Sequence, residues 1–342
     1  MVNIGIVGAG MWGNVHMDTL HKSGRATLRW VCDVNPKALD AAQAKFAIPN
    51  TTQDYAAVLA DPEVDAVVVA TPPYTHVDIG VATLRAGKHL LIEKPMAINR
   101  AQVAQFLDEV VQHPDQVVLE GSCRHARLNP KFAFVKALID SGKLGEIYHI
   151  THHHLVQGTF IEYNPNAPWS MDKSLAGGGP FIDWGEYDLS FHLGVLGDRP
   201  EIRSVKAFTR TGLRDLGDKV PVADVEMHGA AFLEFDGGLT YLYERGGGVH
   251  GETRNETWLF GTKGGLHFYY PAWEPVTVEY FYGDATSHRE TLTVDMSAHA
   301  AHDNTPFIAH FLDCLEGTAT PLMPPALAAK HLDIVFQILR IA

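Results

Sequence analysis

Val2-Asn3-Ile4-Gly5-Ile6-Val7-Gly8-Ala9-Gly10-Met11-Trp12-Gly13 opens the chain, and Asp33 follows Gly13 by 20 residues. An apolar, β-branched run passes without a break into a glycine turn and then into a helical stretch reaching about Lys22. A G-x-G-x-x-G pattern is informative only in that setting, ending a strand and opening a helix. Gly8 makes the tight turn, Gly10 lets the backbone approach a pyrophosphate, and Gly13 lets helix and strand pack closely. Met11 and Trp12 bring the unpaired N–H groups of the first helical turn, which favour phosphate together with the helix dipole. Asp33 ends the next strand, Ala26–Cys32. Its carboxylate would accept hydrogen bonds from ribose hydroxyls and repel a 2′-phosphate. The pattern predicts NAD as cofactor; an Arg from a neighbouring loop would admit NADP. A flavin site, or a fold that has lost its nucleotide, is the competing reading.

Working outward, strands and helices keep alternating. Helices are expected at Pro36–Phe46, Tyr55–Ala60, Thr75–Ala86 and Asn99–Gln112, the last with Asn99 as N-cap. Strands are expected at Ala66–Ala70, His89–Ile92 and Gln116–Glu120. The unbroken apolar run Ala66-Val67-Val68-Val69-Ala70 suits a parallel sheet covered on both faces. This βαβ order predicts an N-terminal domain with a doubly wound parallel sheet. The pattern changes near Ser122. A helix at Pro130–Ser141 and a strand at Glu146–Val156 precede a glycine-opened helix at Pro180–Leu196. Longer strands follow at Val222–Phe235, Leu239–Arg245, Thr253–Phe260 and Val276–Tyr282, with a hairpin turn at Asp236-Gly237-Gly238. Two amphipathic helices close the chain. The expected organisation is therefore α/β: residues 1–121 form the dinucleotide-binding domain and 122–342 an α+β domain built on an antiparallel sheet. The last helix is free to pack back on the first domain.

Composition excludes other classes. The chain has 342 residues, 27 Lys plus Arg against 40 Asp plus Glu, and a formal charge of −13. Such a surface repels nucleic acid and anionic membrane. No apolar run approaches the ~20 residues of a membrane helix, and the N-terminus lacks a signal-peptide pattern. Cys32, Cys123 and Cys314 are too few and too scattered for a disulfide framework or a zinc motif. A cytoplasmic protein is expected, and no bound metal. His149, His152, His153 and His154 stand close together, but on a strand only alternate residues share a face, and no carboxylate accompanies them.

Ligands of a doubly wound sheet bind at the strand ends. Thr71-Pro72-Pro73 and Glu93-Lys94-Pro95 occupy two of these, and Lys94 would place an ammonium where a nicotinamide ring belongs. Gly8-x-Gly10-x-x-Gly13, Thr71-Pro72-Pro73-x-x-His76, Glu93-Lys94-Pro95 and Gly177-Gly178-Gly179-x-x-x-Asp183-x-Gly185 come in this order. Together they resemble the glucose–fructose oxidoreductase / inositol dehydrogenase / rhizopine-catabolism family over nearly the whole chain. The resemblance implies NAD(P)-dependent oxidoreduction, an N-terminal Rossmann domain, and a large, open, mostly antiparallel C-terminal sheet that serves as a homo-oligomer interface, dimer or tetramer. It also implies a catalytic Lys94, and cofactor contacts through Thr71, Pro72, His76 and Glu93. The family's usual Asp-x-Gly-x-His-x-x-Asp reads Asp183-x-Gly185-x-Tyr187-x-x-Ser190 here. Tyr stands where the acid/base His usually sits, as it does in glucose–fructose oxidoreductase.

Asp183 and Tyr187, four apart, share one face of a helix. Tyr187 is the expected general acid/base, with Lys94 lowering its pKa and polarising the developing carbonyl, and Asp183 holding a neighbouring hydroxyl. His152, His154, Trp169, Trp184 and Arg124 are candidate substrate contacts. Ordinary packing is the competing reading for the tryptophans, and pairing with surface acids for Arg124. His192 is expected to pair with Asp188 away from the chemistry. The expected activity is hydride transfer between the nicotinamide and a secondary alcohol or ketone of a sugar, cyclitol or related polyol. An NAD-dependent glycosidase on the same scaffold, or a ligand-sensing regulator without catalysis, are the rival readings.

Overall fold

The structure is a computed structural model describing every residue except 219, 274, 285, 298, 300, 301 and 342. It resolves into two compact units, Met1–Arg124 with Ala300–Lys330, and His125–His299 with His331–Ala342.

The first unit begins with strands β1 (Val2–Val7), β2 (Ala26–Cys32), β3 (Asn50–Thr52), β4 (Ala66–Val69), β5 (His89–Ile92) and β6 (Val118–Glu120). They alternate with helices α1 (Met11–Ser23), α2 (Pro36–Phe46), α3 (Tyr55–Ala60), α4 (His76–Arg85) and α5 (Arg100–Gln112). All pairs are parallel, in the order β3-β2-β1-β4-β5-β6. The order reverses beside β1, which pairs with β2 on one side and β4 on the other. Ile4, Ile6, Val67, Val68 and Val69 are fully enclosed, each worth about 1.5–3 kcal/mol of burial. The helix starts follow from their caps: Asn35, Asp54 and Asn99 accept from the N–H groups of Lys37, Ala56 and Gln102.

In the second unit, helix α6 (Pro130–Asp140) leads to β7 (Ile147–Val156), the short helices α7 (Phe160–Tyr163) and α8 (Lys173–Ala176), and the long α9 (Pro180–Gly194). Strands β8 (Ile202–Arg210), β9 (His228–Phe235), β10 (Thr240–Gly247), β11 (Arg254–Gly261), β12 (Gly264–Phe268), β13 (Thr277–Tyr282) and β14 (His288–Thr293) follow. The eight-stranded order is β14-β13-β12-β11-β7-β10-β9-β8, antiparallel except for β7 with β10. One face carries α9, whose Phe181 meets Tyr243 and whose Phe191 meets Phe268. The strands β3, β8, β12 and β14 add to those the sequence pattern signals.

Helix α10 (Asn304–Leu315) belongs to the first unit and packs on α1. There Asn304 Nδ2 donates to Thr19 Oγ1 at 3.0 Å and Arg25 pairs with Asp313 at 2.7 Å. Helix α11 (Pro325–Leu339) spans the division between the units. No helix among the described residues is long and apolar enough to cross a membrane. The three cysteines are buried, and burial pushes the Cys32 thiol up to about 12.

Candidate active site

In the first unit, Gly8 has φ +102°, and a Cβ there would lie 2.5 Å from the Ala70 carbonyl oxygen. A Cβ on Gly13 would collide with the Gly8 carbonyl oxygen, whereas one on Gly10 would meet nothing within 4 Å. The outer two glycines therefore serve the fold, and the middle one leaves the turn open. Helix α1 has no side-chain N-cap and no acid in its first turn, so its N–H groups suit an anionic ligand. Asp33 is turned toward this loop: Oδ2 accepts from Ala9 N at 2.7 Å and Oδ1 from Asn35 N at 2.8 Å. Asn14 braces the same loop by donating to the Ala9 and Gly10 carbonyls. These residues fit a dinucleotide. Gly10→Ala is expected to keep the unfolding midpoint and weaken NADH binding at least about tenfold. Gly13→Ala is expected to cost about 1–3 kcal/mol of stability. Fluorescence titration and denaturant unfolding check the pair.

The ends of β4 and β5 are tied by His76, whose Nε2 and Nδ1 lie 2.7 Å from the Thr71 and Pro95 carbonyls. His76 is buried and acts as a strut beneath Thr71 and Pro72. Glu93 is also internal. Its Oε1 lies 2.7 Å from His16 Nε2 and it pairs with Arg124. Burial alone would raise its pKa, but Arg124 and His16 outweigh that and hold it well below the usual carboxylate range. Arg124 itself is fully buried, with its guanidinium 3.7 Å from the Trp12 ring centroid. The structure therefore commits Arg124 to Glu93 in the interior, where an anionic substrate group has no access to it. Glu120, at the end of β6, accepts from Ser122 N at 2.8 Å and Ser122 Oγ at 2.5 Å. Burial, with Glu93 nearby, pushes it up to about 7. Lys94 is half-buried at the end of β5.

In the second unit the triple glycine has a specific physical cause. Gly177 closes α8 in the left-handed region, φ +84°. A Cβ on Gly179 would collide with the Glu226 carbonyl oxygen, and one on Gly178 would lie 2.7 Å from Ile182. The backbone comes this close because the Glu226 carboxylate caps α9, accepting from Gly179 N at 2.8 Å and Phe181 N at 3.0 Å. Burial pushes Glu226 up to about 7 against the pull of those two donors.

Helix α9 presents two faces. Asp183 and Tyr187 lie one turn apart; Asp183 is half-buried and Tyr187 is 1% exposed. The Tyr187 ring sits 5.2 Å from that of Trp184 and 4.8 Å from that of His125. His154 stacks on Trp184 (6.1 Å, 12°) and bonds Tyr269 Oη at 2.7 Å. Burial lowers His154 to about 2, so it stays neutral. The adjoining face, one residue step of about 100° round the helix, carries an enclosed polar cluster. Asp188 pairs with Arg245, accepting from Nη2 at 2.8 Å, and takes the Tyr243 and Tyr270 hydroxyls at 2.5 and 2.7 Å. Burial opposes ionisation of Asp188, and Arg245 and His152 overcome it. The Arg245 guanidinium also lies 5.4 Å from the Trp184 ring centroid.

His152 belongs to this interior cluster, bonded to Thr257 Oγ1 at 2.9 Å, and does not border an open face. His192 bonds the Tyr241 hydroxyl at 2.8 Å and Thr257 at 3.1 Å, so its hydrogen-bond partners differ from the Asp188 expected. Ser190 accepts from Arg127 Nε at 3.1 Å, and Arg127 grips Asp198 through both Nη atoms. Trp169, half-buried on a turn at Pro168–Met171, stands outside the ring cluster around Tyr187. Among the described residues no group of three or more His, Cys, Asp or Glu is placed to hold a metal ion. Sequence reasoning missed His125, Trp273, Glu226 and Arg245. None carries a local pattern, since each acquires its partner through tertiary contact.

A parallel sheet with an open glycine turn, together with a pinned helix bearing an acid and a phenol, defines a dinucleotide-dependent oxidoreductase. Residues 2–120 match the oxidoreductase family with an NAD-binding Rossmann fold, and residues 132–267 match the GFO/IDH/MocA C-terminal domain. The chain belongs to this family and is an NAD-dependent oxidoreductase. Levoglucosan dehydrogenase of Pseudarthrobacter phenanthrenivorans is 25% identical over 323 residues, 86% of this chain and 80% of that protein. Inositol 2-dehydrogenase of Rhizobium meliloti is 29% identical over 255 residues, 73% of each chain. Levoglucosan dehydrogenase solved with NADH and levoglucosan superposes with a TM-score of 0.82 at 21% identity, over 99% of this chain and 97% of the other. That likeness is one of fold.

Proposed function

We propose that the protein oxidises a secondary alcohol of a sugar, cyclitol or related polyol, or reduces the matching ketone, with NAD. The observation that carries this reading is the pairing of Asp183 and Tyr187 on one face of a helix that Glu226 and Arg245 hold rigidly. Relatives named for levoglucosan and inositol point to the same substrate class. Bound NAD supplies the hydride acceptor. Tyr187 takes the hydroxyl proton as hydride leaves the same carbon, and returns it in the reverse direction. A phenol with its ordinary pKa of about 10 is a poor base near neutral pH, and the Lys94 ammonium lowers that barrier by favouring the phenolate. Lys94 also offsets negative charge on the substrate oxygen. Asp183 accepts from a neighbouring substrate hydroxyl and fixes which carbon reacts. His154 and Trp184 add a hydrogen bond and an apolar ring face. Asp33 selects NAD over NADP.

The second unit, His125–His299 with His331–Ala342, is assigned substrate binding and self-association, and the first unit, which takes in Ala300–Lys330 as well as the N-terminal residues, the cofactor. One sheet face exposes Phe208, Phe232 and Leu242, which supports a homo-oligomer, dimer or tetramer; a cytoplasmic location is part of the same proposal. A panel of monosaccharides, inositols and sugar acids with NAD and NADP, followed at the nicotinamide absorbance, tests the activity. NADH formation from at least one polyol, faster with NAD than NADP, is expected. NADH binding without reduction of NAD by any of them would overturn the reading.

A further inference from the structure

We propose that the ring cluster beside Tyr187 continues outward into a second sugar subsite on Trp273, so that the preferred substrate is a glycoside of at least two rings. This rests on the reading of the protein as a sugar oxidoreductase. His125 and Trp184 stack at 5.5 Å with a 22° interplanar angle. Tyr187 touches both rings, at 4.8 and 5.2 Å. Trp273 touches the same two, at 5.4 and 5.8 Å. The stacked pair thus links an enclosed phenol to a tryptophan that is 57% exposed.

A lone exposed apolar side chain needs no explanation. Trp273 differs because it is the outer member of a continuous aromatic set whose inner member is the proposed acid/base. Its contacts with His125 and Trp184 are near-perpendicular, 84° and 78°, and no described ring lies parallel on it. A tryptophan so exposed contributes little to the core, while its face presents a flat apolar surface with a polar N–H at one edge. The C–H face of a pyranose matches such a surface, and its hydroxyls remain in water. A sugar ring is about as large as an aromatic ring. A monosaccharide reacting at Tyr187 therefore ends near the His125–Trp184 pair, and only a second ring extends to Trp273. Contact so far from the reacting carbon is equal in ground and transition states, so it acts on KM and leaves kcat alone.

The test compares matched pairs, glucose with cellobiose and galactose with lactose, in wild type, Trp273→Ala and Trp273→Phe. Steady-state kinetics follows NADH, and calorimetry measures each sugar binding to the enzyme–NADH complex. The expected wild-type KM and dissociation constant are about tenfold lower for at least one disaccharide than for its monosaccharide, a single aromatic contact of about 1.4 kcal/mol. Trp273→Ala should erase that difference by raising the disaccharide KM and dissociation constant about tenfold more than those of the monosaccharide, and Trp273→Phe should keep most of it. An unchanged ratio in Trp273→Ala, equal loss for both sugars, or a change only in sedimentation mass would overturn the subsite. If no sugar reduces NAD while disaccharide binding still depends on Trp273, the subsite stands and the proposed activity falls.

Discussion

Replacing Tyr187 with Phe should lower turnover by roughly 10²–10⁴-fold, the usual contribution of a positioned acid/base, without weakening NADH binding. The substitution removes one oxygen and keeps the ring. The packing against Trp184 and His125, at 5.2 and 4.8 Å, therefore survives. Lys94→Ala should fall by a similar factor for a different reason. On the proposed mechanism it removes a charge that favours both the phenolate and the developing substrate oxyanion. The two variants separate in their pH dependence. Lys94→Ala should recover part of its rate at high pH, because without the cation the phenol ionises only in more alkaline solution. Tyr187→Phe has no such group to ionise and should show no recovery at high pH. Stopped-flow and steady-state rates over pH, with NADH affinity by fluorescence, check both. Full activity in either variant would remove that residue from the chemistry.

Asp188→Ala should destabilise the protein by about 3–5 kcal/mol, because it strands the buried Arg245 guanidinium. Asp188 and Arg245 are both enclosed. Two tyrosine hydroxyls and His152 complete the surroundings of the carboxylate, so each neighbour loses a partner when it goes. Asp188→Asn keeps an acceptor oxygen for a tyrosine but no charge, and should still cost a large share. The double variant Asp188→Asn with Arg245→Met removes both charges at once. It should recover stability relative to either single change, since the penalty comes from an unpaired buried ion. Urea unfolding of the four proteins measures the coupling. Additive effects would mean that the pair contributes independently. The Arg245 contact with Trp184 adds a functional expectation: the double variant should fold yet bind sugar less tightly than wild type.

How much of this was legible in the sequence depended on whether the cause was local. Strand β1, the glycine turn, α1 and β2 announce themselves through apolar runs and punctuation, α2 and α6 through an Asn cap followed by Pro, and α5 through its Asn cap. Strand β3 has three residues, and β8 and β14 are edge strands with charged or polar sequences, so none shows a clean alternation. The spacing of Asp183 and Tyr187 was readable because helix geometry is set by sequence distance. The burial of Arg124 was not, since its partner Glu93 is 31 residues away, just past the end of β5. His152 likewise reads as a cleft residue until its Thr257 partner, 105 residues on, encloses it. Glu226 explains the glycine run it caps from 45 residues beyond Phe181, where no local pattern marks it.

The most direct measurement follows isotope from substrate to cofactor. A sugar that reduces NAD is prepared with deuterium at each secondary carbon in turn and turned over once by wild-type enzyme and by Tyr187→Phe. The expected result is deuterium in NADH from one carbon only, with a slowed wild-type single turnover at that position and NADH formation by Tyr187→Phe slower by roughly 10²–10⁴-fold. NADH formed by Tyr187→Phe at the wild-type rate would contradict the assignment of the proton to Tyr187. NADH free of deuterium from every labelled carbon would contradict hydride transfer from a secondary alcohol.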